Sequence, residues 1–136
     1  MSAVSEVPAA PSAEALAHFS ALLAFETDCA DVHAALSRGA SSADFVLLDV
    51  RGPAHFARGH VRGAVNLPHG KIVASKLEGY PLDTLFVTYC AGPHCNGAIR
   101  GAIRLARLGR PVKIMTGGVT GWLDEGFELA ACEAVV

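Results

Sequence analysis

Apolar residues fall along this chain in two kinds of pattern: spaced sets that predict helices and unbroken runs that predict buried strands. From Ser12 onward, Leu16, Phe19, Leu22 and Leu23 recur at helical spacing, with Ser12 as a cap and Glu14 in the first turn. This predicts a helix that packs along one face. A second helix is expected from Asp28 or Cys29 to Ser37, with Val32, Ala35 and Leu36 inward and Gly39 as its stop. Between the two, Phe25–Thr27 reads as a short extended link and a candidate edge strand.

Phe45-Val46-Leu47-Leu48-Asp49-Val50 is apolar without alternation and too short for a helix, the signature of a strand covered on both faces of a parallel sheet. Leu85–Tyr89 repeats it, and weaker strands are expected at Ala64–Leu67 and Val112–Met115. From Ala98 to Leu108 the period returns to helical. Ala98, Ala102 and Leu105 share a face with Ile99, Ile103 and Ala106 beside it, Arg100, Arg104 and Arg107 lie opposite, and Gly109 closes the segment. Strand, crossover helix and strand in repetition imply an α/β fold with helices on both sides of a parallel sheet. Such sheets put their sites at the carboxyl ends of strands.

The size is that of one domain: 136 residues, 51% hydrophobic and 18% charged, enough apolar material for a core. We divide the chain into a flexible lead-in over residues 1–12, a domain over 13–130 and a tail over 131–136. A formal net charge of −2 gives no global reason to expect nucleic acid or an anionic membrane as partner. Met1–Pro11 lacks the basic start and apolar run of a secretory signal, and no apolar run is long enough to span a bilayer, so a cytoplasmic protein is expected. Its four cysteines, at 29, 90, 95 and 132, are too scattered for a disulfide framework and include no Cys-x-x-Cys pair for structural zinc.

Chemistry is expected where the Leu85–Tyr89 strand runs into Cys90-Ala91-Gly92-Pro93-His94-Cys95-Asn96-Gly97 and then into a helix. A cysteine here sees backbone N–H groups and the positive end of a helix dipole. Both favour thiolate and would hold an anion on or beside the sulfur. The alternative is that Cys90 is a small hydrophobe ending a buried strand.

In order along the chain, Asp49-Val50-Arg51, Phe56, Gly59-His60-Val61-Arg62-Gly63-Ala64, Asn66-Leu67-Pro68, Tyr89-Cys90, Gly117-Gly118 and Gly121-Trp122 resemble the successive signatures of the single-domain rhodanese family, over roughly Phe25 to Leu129. That resemblance implies a five-stranded parallel sheet flanked by helices. It also implies a sulfurtransferase in which Cys90 takes a sulfane sulfur from thiosulfate or a thiol persulfide and passes it to a thiol, cyanide or a protein acceptor. Ala91, Gly92, Pro93, His94, Cys95, Asn96 and Gly97 would form the substrate cradle, with Asp49 and Arg51 in support. The persulfide's negative charge would rest on the loop N–H groups, and the reaction requires neither metal nor organic cofactor. His60 reads as a hydrogen-bonding turn residue, Gly117 and Gly118 as points of close backbone approach, and Trp122 as packing.

The loop departs from the family in two ways: it is longer than usual, and it carries no Arg or Lys. His94, if protonated, is its one candidate cation. Longer loops in this superfamily occur in phosphatases that end them with an Arg to hold phosphate, and the missing Arg speaks against that activity. Cys95 could attack a Cys90 persulfide and release sulfide, receive the sulfur in relay, or be inert. Cys90, His94 and Cys95 lack an obvious fourth partner for a metal. The competing functional class is a catalytically silent module that docks a partner, with Cys90 and Cys95 as a redox switch.

Overall fold

The two strongest apolar runs lie side by side at the centre of a sheet. Strand β2 (Val46–Asp49) pairs in parallel with β4 (Phe86–Tyr89), Val46 opposite Phe86 and Asp49 opposite Tyr89. Every residue of β4 is buried, as a strand covered on both faces must be. Alternate side chains go to opposite faces: Leu47, Val87 and Tyr89 to one core cluster, Leu48, Phe86 and Cys90 to the other. The computed structural model describes residues 1–39 and 43–132. Among them the sheet has five strands in the order β1-β5-β4-β2-β3, all parallel, where β1 is Glu26–Asp28, β3 is Val65–Asn66 and β5 is Val112–Thr116.

Helices cover both faces. Helix α2 (Cys29–Leu36) and helix α5 (Gly118–Asp124) bring Val32 and Trp122 to the first cluster, and helix α4 (Gly97–Arg107) brings Leu105 to the second. Asp28 caps α2, its carboxylate accepting from the Asp31 N–H at 2.8 Å. Trp122 is buried and its indole N–H donates to the Glu128 carbonyl, the packing role its sequence position suggested. Arg110, at the end of the α4–β5 link, is also buried and donates to the carbonyls of Leu77, Tyr80 and Pro81. It thereby ties down the segment that feeds β4.

Three sequence expectations need correction. Helix α1 (Ser12–Phe25) forms, but Pro11 rather than Ser12 occupies the cap position, with no side-chain cap bond. No residue of α1 is buried, and Leu16, Phe19 and Leu23 are 70%, 64% and 74% exposed. Periodicity reports an apolar stripe and not what covers it. In α4 the buried stripe is Gly97, Gly101 and Leu105, whereas Ile99 and Ile103 are exposed. The helix lies so close to the sheet that a Cβ on Gly101 would stand 3.1 Å from Val50 Cγ1, so small residues, not the large isoleucines, mark the contact. Of the anticipated tail, residues 133–136 lie outside the described residues.

Candidate functional site

Parallel pairing puts the ends of β2, β3, β4 and β5 along one edge, and the segments that leave them are Val50 onward, Leu67 onward, Cys90 onward and Gly117 onward. Cys90 is 6% exposed and sits in the core cluster beneath α4. Ala91, Pro93, His94, Cys95 and Asn96 are exposed, Gly92 is half-buried and Gly97 is buried. The loop turns back on itself through the Cys95 N–H, which donates to the Gly92 carbonyl at 3.0 Å. Among the described residues, the N–H groups of Ala91, Gly92, His94 and Asn96 make no backbone hydrogen bond. The Cys90 and Cys95 sulfurs are joined in a disulfide, with their Cα atoms 6.4 Å apart.

The start of α5 holds the loop in place. Val119 and Thr120 N–H groups donate to the Cys90 and Ala91 carbonyls at 3.0 and 2.9 Å, and the Thr120 hydroxyl donates to Ala91 as well. This contact requires the glycines. Gly118 has φ +57°, and a Cβ there would lie 2.9 Å from the Gly92 nitrogen. Gly97 is similarly placed against the sulfurs, since a Cβ would stand 2.7 Å from Cys90 Sγ and 3.4 Å from Cys95 Sγ.

A cavity of about 280 Å³ opens above Cys90, Ala91, Cys95, Asn96 and Gly97, and its facing wall is Val50, Arg51, Gly52, His55 and His69. Arg51 follows β2, His55 lies in helix α3 (Pro53–Arg58), and His69 begins the short 3-10 turn His69–Lys71 after β3. Arg51, His55 and His69 thus reach the cavity from segments that follow β2 and β3, outside the loop. His55 and His69 belong to no motif in the sequence. The available signal was the carboxyl-edge rule, which puts the residues after β2 and β3 beside those after β4. His94 lies outside this cavity's lining and borders a separate shallow one with Pro93, Cys95, Asn96 and Ile99. Another depression, about 530 Å³ and bordered by His33, Arg62, Trp122 and Phe127, contains none of the anticipated site residues.

Arg51 borders the cavity and is fixed there by Asp49, which lies outside the lining. The Asp49 carboxylate is fully buried and accepts from the Arg51 backbone N–H at 3.0 Å, from its Nε at 3.0 Å and from its Nη2 at 2.7 Å. Arg51 Nη2 also donates to the Gly59 carbonyl at 2.6 Å. Burial alone would lower the Arg51 pKa, but hydrogen bonding and attraction to Asp49 outweigh it and raise the value, which secures the cation. Burial, and then the Asp49 charge, holds the Tyr89 phenol far above its ordinary value, and its oxygen accepts from the Val61 N–H. The two side chains bond to one another and Arg51 to the Gly59 carbonyl, while the Asn66 side-chain amide donates to the carbonyls of both residues; among the described residues no side-chain bond of the pair runs to the 90–97 loop. His60 belongs to that same turn, with Nδ1 2.7 Å from the Phe56 carbonyl and its ring stacked on Phe56.

Of the remaining thiols, Cys29 is buried against the Thr116 and Gly118 carbonyls and Cys132 is exposed. Burial, followed by the charges of Asp28 and Glu125, pushes the Cys29 thiol up, away from thiolate. No helix among the described residues is long and apolar enough to cross a membrane, and none of their His, Cys, Asp and Glu side chains are grouped in threes to hold a metal ion.

Comparison with known proteins agrees with this architecture. The chain is 35% identical over 100 residues to an HTH-type transcriptional regulator of Mycobacterium tuberculosis, a match that covers 68% of this chain but 43% of that protein. The chain thus spans less than half of that relative's length. A crystal structure of a Bacillus halodurans protein superposes with a TM-score of 0.84 at 31% identity, covering 89% of this chain and 87% of the other. A thiosulfate sulfurtransferase from Pseudomonas aeruginosa, 22% identical, shares the fold with a TM-score of 0.68 over 86% of this chain and 23% of its own. The rhodanese-like domain model matches residues 30–125, which takes in every strand end that borders the cavity, and the chain belongs to the rhodanese-like domain family.

Proposed function

We propose that the protein is a sulfurtransferase in which the Cys90 thiolate takes the sulfane sulfur of thiosulfate or of a thiol persulfide and passes it to a thiol, cyanide or a protein thiol. The observation that carries this reading is the position of Cys90: a buried sulfur at a strand end, beneath a cavity whose opposite wall holds Arg51, His55 and His69. Attack on thiosulfate displaces sulfite and leaves a persulfide on Cys90, so negative charge must be held both on the leaving group and on the outer sulfur. The unengaged N–H groups of Ala91, Gly92, His94 and Asn96, and the amino end of α4, suit the persulfide. The basic wall suits the sulfite.

Steady-state transfer from thiosulfate to cyanide, read as thiocyanate, tests this division of labour. Replacing His55 and His69 together by Ala is expected to raise KM for thiosulfate about tenfold, the loss of about 1.4 kcal/mol of hydrogen bonding to the donor, with KM for cyanide unchanged. An unmoved thiosulfate KM would remove the cavity wall from donor binding.

The Cys90–Cys95 disulfide favours a second reading, a partner-docking module whose loop reports redox state. Similarity to a transcriptional regulator, of which this chain spans only a part, is compatible with such a role. In that case partner binding would survive replacement of Cys90 while its response to oxidant would not.

A further inference from the structure

We propose that Cys95 is a resolving thiol that collapses the Cys90 persulfide and releases its outer sulfur as hydrosulfide, which makes the protein a thiol-dependent sulfide-forming enzyme as well as a sulfur carrier. The inference rests on the Cys90 persulfide proposed above.

The starting point is that Cys95 Sγ reaches the Cys90 sulfur itself. The two form a disulfide, their Cα separation of 6.4 Å lies within the span such a bond allows, and a Cβ on Gly97 would lie close to both sulfurs. In the persulfide, Cys90 Sγ is the inner sulfur. A relay would need Cys95 to attack the outer one, a further S–S bond length of about 2.05 Å away. The loop's own geometry presents Cys95 to the inner sulfur instead, and the turn that does so is fixed by the Cys95 N–H bond to the Gly92 carbonyl.

The step balances without any external oxidant. The Cys95 sulfur forms a bond to Cys90 Sγ as the bond from Cys90 Sγ to the outer sulfur breaks. The electron pair and the Cys95 proton leave with that outer sulfur as hydrosulfide. The two cysteine sulfurs are oxidised to the disulfide, and the sulfane sulfur is reduced to sulfide. Hydrosulfide is a weakly basic leaving group, which favours this direction.

The cycle closes with a small thiol reductant. Cys95 is exposed and Cys90 is 6% exposed, so an incoming thiolate meets Cys95 Sγ first and expels Cys90 as thiolate into its backbone cradle. A second thiol then attacks the mixed disulfide on Cys95, giving the reduced protein and the oxidised reductant. Without reductant the protein stops after one turnover, in the disulfide state seen here.

A single-turnover experiment decides the matter. Reduced wild-type protein and Cys95→Ser are exposed briefly to thiosulfate, and separately to glutathione persulfide; the donor is removed, and both free sulfide and intact mass are followed. The wild type is expected to release one sulfide per chain and end lighter by two hydrogens, with Cys90 and Cys95 in one crosslinked pair of peptides. Cys95→Ser is expected to keep one extra sulfur on Cys90 and to release none, and its loading shows that the variant is folded. Stable sulfur on Cys90 of the wild type, sulfur recovered on Cys95, or equal sulfide release from Cys95→Ser would each overturn the proposal while leaving the carrier role of Cys90 intact. No sulfur on Cys90 of either protein would overturn the carrier reading, and this one with it.

Discussion

Replacing Cys90 by Ser is expected to abolish sulfur transfer, lowering kcat/KM by about a thousandfold or more with every donor. A serine hydroxyl fills nearly the same space at the end of β4, where Cys90 packs with Val50, Ile72 and Leu105, so the fold should persist. What is lost is the one atom able to attack a sulfane sulfur and carry it, a polarisable thiolate that the loop N–H groups and the end of α4 stabilise. The other thiols are poor substitutes. Cys29 is buried with its thiol pushed up, and Cys132 is exposed and outside the cavity lining. The measurement is thiocyanate formation by Cys90→Ser beside the wild type, with thermal unfolding of both. Residual activity within about tenfold of the wild type, in a folded variant, would mean that another group carries the sulfur.

The second large effect is on stability. Asp49→Ala is expected to cost about 3–5 kcal/mol, because it leaves the Arg51 guanidinium, with a side chain only 11% exposed, beside the Gly59 carbonyl without its carboxylate. The Arg51 backbone N–H loses its acceptor too, and Tyr89, buried next to the pair, loses the neighbour it is packed with. The loss should appear as a lowered midpoint in urea at unchanged slope. Removing both charges together, as Asp49→Leu with Arg51→Met, is expected to recover most of it, since much of the single-variant penalty is that of an unpaired buried cation. A loss of less than about 1 kcal/mol in Asp49→Ala would show that water reaches Arg51 and that the pair behaves as an exposed one.

The parts of the fold legible in the sequence are those where burial alone dictates residue type. Val46–Asp49 and Phe86–Tyr89 lie at the centre of the sheet, so their apolar runs read as buried strands, and Asp28 marks the start of α2 through cap chemistry, whereas its end falls at Leu36 with Ser37 in the cap position rather than Gly39. Stripe assignments failed where contact is made by small residues or by nothing. Gly97 and Gly101 bring α4 onto the sheet, yet a hydrophobicity pattern gives weight to Ile99 and Ile103. Leu16, Phe19 and Leu23 form a stripe on α1 that the described residues leave uncovered.

The site divides in the same way. Cys90 and its loop are contiguous, and a cysteine between a buried strand and a Gly-Pro-containing turn announces itself locally. His55 and His69 do not, because only the order β4-β2-β3 brings their segments to the cavity. The loop read alone looks deficient in positive charge. Asp49 and Arg51 were recognisable as a pair two residues apart, but their tie to Gly59 depends on how the following turn folds back. The sequence leaves Cys95 open to three roles, and the fold adds that its sulfur lies against that of Cys90.

The most direct test of the central claim is to locate the sulfur. Reduced Cys95→Ser, in which the carried atom cannot be expelled by its neighbour, is mixed with thiosulfate or glutathione persulfide, quenched in acid within seconds, alkylated and mapped by peptide mass. The expected result is one additional sulfur on the peptide that contains Cys90, lost on addition of cyanide with formation of an equal amount of thiocyanate. An unmodified Cys90 peptide with both donors, in protein that is folded and reduced, would contradict the assignment of this site to sulfur transfer.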